Sequence, residues 1–225
     1  MQFNPASYGS PSLAVERNRV LRNTYALLAL TMIPTAIGAL AGIQMQFQMS
    51  GLMGFLVFMA VSFGAFWAIN KNKNSAMGVV LLLAYTGFMG LWLSQILQFA
   101  LRFSNGAQLI ATAAVGTSAI FFTLATIATV TKKDFSFLGK FLFIGLVIGL
   151  LAMVANMFFA IPALSLAISA AFVLIFSLYI LYDVSNIVNG GETNYITATL
   201  NLYLDVYNLF ISLLNILMAF TGNRD

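Results

Sequence analysis

Seven long apolar stretches dominate this chain, and each is close to or above the ~20 residues a helix needs to cross a bilayer. They fall at 24–43, 51–69, 76–99, 107–130, 135–158, 163–188 and 197–220, joined by short connections that are polar or carry proline. None alternates apolar and polar residues as a barrel strand does, so they read as helices. Only 7% of the residues are charged and 61% are hydrophobic, with a mean hydropathy of +0.95. A soluble domain carries about 25% charged residues, so soluble catalysis and nucleic-acid binding are excluded. The net charge of +4 is a topology signal rather than a polyanion patch. With no cysteine, the chain has no disulfide, thiol nucleophile or thiolate metal site. With no histidine, it also lacks the usual sensor near neutral pH. Titration in that range must come from a carboxylate or a desolvated lysine.

Residues 1–22 are polar, with Pro5, Gly9 and Pro11, and are expected to form a flexible cytoplasmic tail. Residues 23–225 are expected to form a single seven-helix transmembrane domain. Ala39 and Ala41 resemble a signal-peptide cleavage site. The apolar stretch before them exceeds the usual 7–15 residues, which favours a retained anchor. An inside N-terminus puts Arg17, Arg19, Arg22, Lys71, Lys73, Lys132, Lys133 and Lys140 on the cytoplasmic side, with only Arg102 and Arg224 opposite. This bias predicts an odd number of spans and an outside C-terminus.

Two acids interrupt the last two spans. Asp183 stands in "FSLYILYDVSNIV" and Asp205 in "LNLYLDVYNLFISLLNIL". An ionisable group in a bilayer is costly unless paired, neutralised or solvated, and marks a functional site by default. Gly190-Gly191 is the expected break between the two helices. Asp183 lies roughly 10 Å before that break and Asp205 roughly 12 Å into the next helix, so a hairpin can bring them to similar depth. Two adjacent carboxylates do not both ionise cheaply. A singly protonated pair holds a strong O–H···O⁻ bond, and losing its proton replaces that bond with repulsion. The alternative is a purely structural bond, with Tyr182, Tyr203, Tyr207 or Asn208 satisfying the acids.

In the seventh span Asn201, Asp205, Asn208, Ser212 and Asn215 are spaced 4, 3, 4, 3 and share one helical face. A polar stripe roughly 21 Å long is expected to face helices or water, which puts this helix at the centre with six around it. Gly145, Gly149, Ala152 and Asn156, and likewise Gly87, Gly90, Ser94 and Gln98, form faces suited to close helix packing.

At these residues the chain resembles the Bax inhibitor-1 (transmembrane Bax-inhibitor motif) family, in its bacterial YccA-like branch. The resemblance runs through "VLRNTYALLALT" at 20–31, "KKDFSFLGKFL" at 132–142, "GLLAMVANMFFAIPALSLAIS" at 149–169, "SLYILYDVSNIVNGGETNYITATLNLYLD" at 177–205 and "YNLFISLLNIL" at 207–217. It implies an all-α membrane protein of seven transmembrane helices, six surrounding a central seventh. It also implies a pH-sensitive calcium leak in which Asp183 and Asp205 act as the sensing latch. The YccA-like branch implies, alternatively, a modulator and substrate of the FtsH membrane protease, with the tail as its handle. Some leak members have an acid in the second helix and an arginine cluster at its end; here the second span has no acid and ends in Lys71-Asn72-Lys73.

The expected function is therefore a pH-sensitive cation leak of the bacterial inner membrane. Calcium is the transported ion, bound weakly and transiently by Asp183 and Asp205, with no tightly bound cofactor. Asn201, Asn208, Ser212 and Asn215 form the polar path, and Lys71, Tyr182, Tyr203 and Tyr207 are latch partners. An aspartyl intramembrane protease is disfavoured, because Leu202-Tyr203-Leu204-Asp205 replaces the required GxGD motif. The absence of histidine also removes a Ser–His mechanism.

Overall fold

The computed structural model describes residues 11–221, with side chains from residue 15 onward. Seven helices follow one another: α1 (Pro11–Gln44), α2 (Gly51–Lys71), α3 (Ala76–Ala100), α4 (Gly106–Thr131), α5 (Leu138–Phe159), α6 (Pro162–Asn189) and α7 (Tyr195–Thr221). All seven are long and apolar enough to span a membrane, and no strand occurs among the described residues. Apart from the start of α1, the helix ends fall within three residues of the expected ones.

α1 begins at Pro11, where proline suits the first turn of a helix, so residues 11–22 of the expected flexible tail are helical. Residues 1–10 lie outside the described residues. Hydropathy measures how much of a helix suits lipid, not how far the helix continues into water. Val20 is buried, which fixes this extension to the bundle.

α7 is the central helix. It packs against α1, α2, α3, α4 and α6, and Leu202, Leu209 and Leu214 on it are fully buried. α5 is the outlier: it packs against α6 alone, and only Leu142 on it is buried. The ring around α7 is therefore incomplete, with α5 as an outer layer. Both expected small-residue faces are packing faces. Gly38, Gly87 and Gly90 let α1 and α3 touch through their backbones. Gly145 and Gly149 admit Ile175 and Phe172 of α6, and Asn156 Nδ2 donates to Ser165 Oγ at 2.6 Å.

Candidate functional site: the α6–α7 carboxyl pair

The reversal between α6 and α7 is closed by local chemistry at both ends. Gly190 adopts φ +82°, in the left-handed region. Its N–H donates to Ile187 O at 3.1 Å, and Gly191 N–H donates to Asn186 O at 2.8 Å. This is the Schellman pattern that satisfies the last carbonyls of a helix. Four residues later Asn194 caps α7, its Oδ1 accepting from Ile196 N at 3.0 Å and Thr197 N at 3.1 Å. Asparagine is among the best residues for that position. The glycines bend the chain and the asparagine restarts it, which brings the two acids side by side.

Asp183 is 9% exposed and Asp205 is 5% exposed. Their carboxyl groups lie within hydrogen-bonding reach of each other. No N–H or hydroxyl among the described residues reaches Asp205 Oδ2. Two carboxyl groups bond only if one carries a proton, because an ionised carboxylate is acceptor-only. The geometry therefore suits a one-proton bridge between α6 and α7. Tyr179, one helical turn before Asp183, lies close to both acids, and Glu192 of the connecting loop lies close to Asp183.

The other expected site residues are elsewhere. Lys71 is not a latch partner: its Nζ lies over the Trp67 ring, 4.9 Å from the centroid. Tyr203 Oη is 2.9 Å from Thr35 Oγ1, and Tyr207 Oη donates to Met89 O at 3.1 Å. These tyrosines tie α7 to α1 and α3 rather than to the acids. Tyr182 packs over Gly139 and edge-on against Tyr179, with centroids 6.4 Å apart. The polar stripe of α7 divides: Asp205 and Ser212 are buried, and its asparagines are not. Asn201 is exposed, and Asn208 and Asn215 are half-buried. Each of Asn201 and Asn208 stands one residue from a fully buried leucine, Leu202 and Leu209, a rotation of about 100°. Asn208 Nδ2 and Ser212 Oγ each donate to carbonyls of their own helix at 2.7 Å. No group of three or more metal-ligating side chains occurs among the described residues. Calcium takes 6–8 oxygens, more than the two carboxyl groups supply by themselves.

The family model described as inhibitor of apoptosis-promoting Bax1 matches residues 17–222, nearly the whole of this helical domain. The chain belongs to the Bax inhibitor-1 family. Among its relatives is the Escherichia coli protein named modulator of FtsH protease YccA, 46% identical over 89% of this chain and 90% of the relative. The same protein in a second Escherichia coli strain, with equal identity and coverage, is named inner membrane protein YccA. An uncharacterised protein of Neisseria meningitidis serogroup A is 41% identical over 96% of this chain and 97% of its own length.

In this member of the Bax inhibitor-1 family, further polar residues position the pair. Ser185, fully buried, accepts from Phe135 N at 3.1 Å and donates to Lys133 O at 2.9 Å. Asn189 Nδ2 also reaches Lys133 O, at 3.2 Å. Asn194 Nδ2 donates to Lys73 O at 2.9 Å and to Asn74 Oδ1 at 2.8 Å. The α2–α3 and α4–α5 loops are thereby fastened to the α6–α7 hairpin. On the α4–α5 loop, Asp134 accepts from Ser136 N at 2.8 Å, which holds its carboxyl below the usual carboxylate range. Arg17 of α1 packs its guanidinium against Gly190 at the C-terminus of α6, where a cation suits the helix dipole. Tyr179 had a local signal, its four-residue spacing from Asp183, and Asn194 had another, a capping residue just ahead of an apolar helix. Ser185, Asn189 and Arg17 act on loops distant in sequence, which no local pattern announces.

Proposed function

We propose that this chain regulates an FtsH-type protease of the bacterial inner membrane and is itself a substrate of it. The observation that carries this reading is the relative named modulator of FtsH protease, aligned over nine-tenths of both chains. In this reading the N-terminus is cytoplasmic and the C-terminus periplasmic, in keeping with the basic residues at the α6–α7 turn end of the bundle. The degradation handle is residues 1–10. It does not extend to residue 22, since Val20 and Thr24 are buried and a longer deletion would damage the bundle. The test is half-life in cells with and without FtsH, for the full chain and for a deletion of residues 2–10. Rapid, FtsH-dependent turnover that the deletion slows is expected. Equal half-lives in both strains would sink the proposal.

A second reading is favoured by the carboxyl pair. In it, the bridge is a proton-dependent latch on a cation leak, with calcium as cargo. Release of the shared proton sets two like charges against each other in a buried site and separates α6 from α7. Both readings can hold together, the leak being a response that the protease removes. The pair acts here as a bridge rather than as a proteolytic dyad. Leu202 and Leu204 occupy the positions where an aspartyl intramembrane protease opens its backbone with glycine, and Leu202 is fully buried. Calcium flux from liposomes across acidic to neutral pH tests it, and flux indifferent to both aspartates would refute it.

A further inference from the structure

α1 and α4 both pack on α7, but their backbones stand apart from each other. The gap between them is a groove of about 590 Å³, lined by Leu28, Met32, Phe121 and Ala125, with Val206 contributed by α7. Ala29 and Phe122 on its two walls are exposed, so the groove opens sideways towards lipid. Tyr25 stands at one end, its ring edge-on to Phe121 with centroids 6.0 Å apart. The Tyr25 hydroxyl is buried and has no hydrogen-bond partner among the described residues. Thr129 stands beside it, its own hydroxyl donating to Ala125 O at 2.7 Å. An apolar trough thus ends at an unsatisfied donor, a costly arrangement in a bilayer unless an acceptor arrives from outside the protein.

Past that donor, each of the two helices carries a cation. Arg22 is one turn before Tyr25 on α1, roughly 4.5 Å further along the axis. Lys132 closes α4 in the left-handed conformation at φ 51°, three residues after Thr129. Both are exposed. Asp134, the nearest acid in sequence to Lys132, turns its carboxylate to Ser136 N. The order along the two helices is apolar surface, then a hydroxyl donor, then two cations. An anionic phospholipid has the complementary order: acyl chain, ester carbonyl, phosphate. We propose that the α1–α4 groove binds one anionic phospholipid, with its chain in the trough, an ester carbonyl on Tyr25 Oη, and its phosphate between Arg22 and Lys132.

Native mass spectrometry of the full chain in detergent tests this, with added palmitoyl-oleoyl phosphatidylglycerol or the phosphatidylcholine of the same chains. One phosphatidylglycerol is expected to be retained in preference to phosphatidylcholine. Arg22→Gln and Lys132→Gln should each weaken phosphatidylglycerol about five-fold, the effect of one basic residue near an anionic surface, and leave phosphatidylcholine unchanged. Tyr25→Phe should weaken both lipids alike, because both carry ester carbonyls. Ala29→Trp fills the groove from α1 and Ser118→Trp from α4, and either should abolish retention in a protein whose melting temperature is unchanged. Lys140→Gln on α5 is the charge control and should behave as wild type. Equal retention of the two lipids by wild type would overturn the proposal. So would undiminished phosphatidylglycerol binding by both tryptophan variants, or a dimer that lipid does not displace and Ala29→Trp breaks, which would assign the groove to a second copy of the chain.

Discussion

Replacing Asp205 by asparagine tests whether a shared proton joins α6 to α7. Asp205 is 5% exposed and Asp183 is 9% exposed, and no N–H or hydroxyl among the described residues reaches Asp205 Oδ2. When the shared proton leaves, that oxygen gains no substitute donor from the protein. A hydrogen bond to a charged partner contributes about 1.5–3 kcal/mol. At 1.4 kcal/mol per tenfold, its loss moves a closed–open equilibrium by roughly 10- to 150-fold, before any repulsion between the two charges. Asp205→Asn supplies a permanent N–H to Asp183 and keeps the bridge at every pH, whereas Asp205→Ala removes it at every pH. Calcium release from liposomes should therefore switch with pH in wild type, stay low in Asp205→Asn and stay high in Asp205→Ala. Amide exchange across the α6–α7 hairpin should follow the same order and does not depend on calcium being the cargo. An asparagine variant that follows the wild-type pH swing in both assays would refute the shared-proton bridge. Wild-type exchange that switches without any flux would keep the bridge and remove the leak.

Asn194→Ala removes the α7 cap and two bonds to the α2–α3 loop. It should cost about 1–2 kcal/mol, read as a lower melting temperature in detergent. Gly90→Ala points a methyl at the Thr35 backbone, with Thr35 Cα only 2.8 Å from the new atom. Backbone cannot swing aside, so about 1–3 kcal/mol should be lost; Gly64→Ala, which meets nothing within 4 Å, is the control and should melt as wild type does. Asp134 is held below the usual carboxylate range by the Ser136 N–H. Its folded state therefore binds its proton less readily than the unfolded chain. Its contribution is present above the usual aspartate range and is lost as the pH falls through its lower folded value. Protection of the Ser136 amide should weaken over that acidic interval, and protection that Asp134→Ala leaves intact at neutral pH would contradict the assignment.

The sequence alone determined seven helices, because a bilayer offers no water to unpaired backbone and so accepts only long apolar segments. Gly190 and Asn194 are equally local: a positive φ and a helix cap depend on the residue and its immediate neighbours. The meeting of Asp183 and Asp205 was legible because both lie within three turns of one tight reversal, which limits where they can be. What surrounds them was not. The asparagines follow helical periodicity, yet Leu202 and Leu209 face inward, because five neighbouring helices reward apolar contact over most of α7. The tyrosines turned to α1 and α3, and Ser185 reached back to Lys133 across 52 residues. Only the packed bundle decides such pairings, since a buried donor takes whichever acceptor the fold brings near, and sequence distance has no bearing on that. The groove between α1 and α4 has the same origin: it exists because two helices that both touch α7 keep their backbones apart.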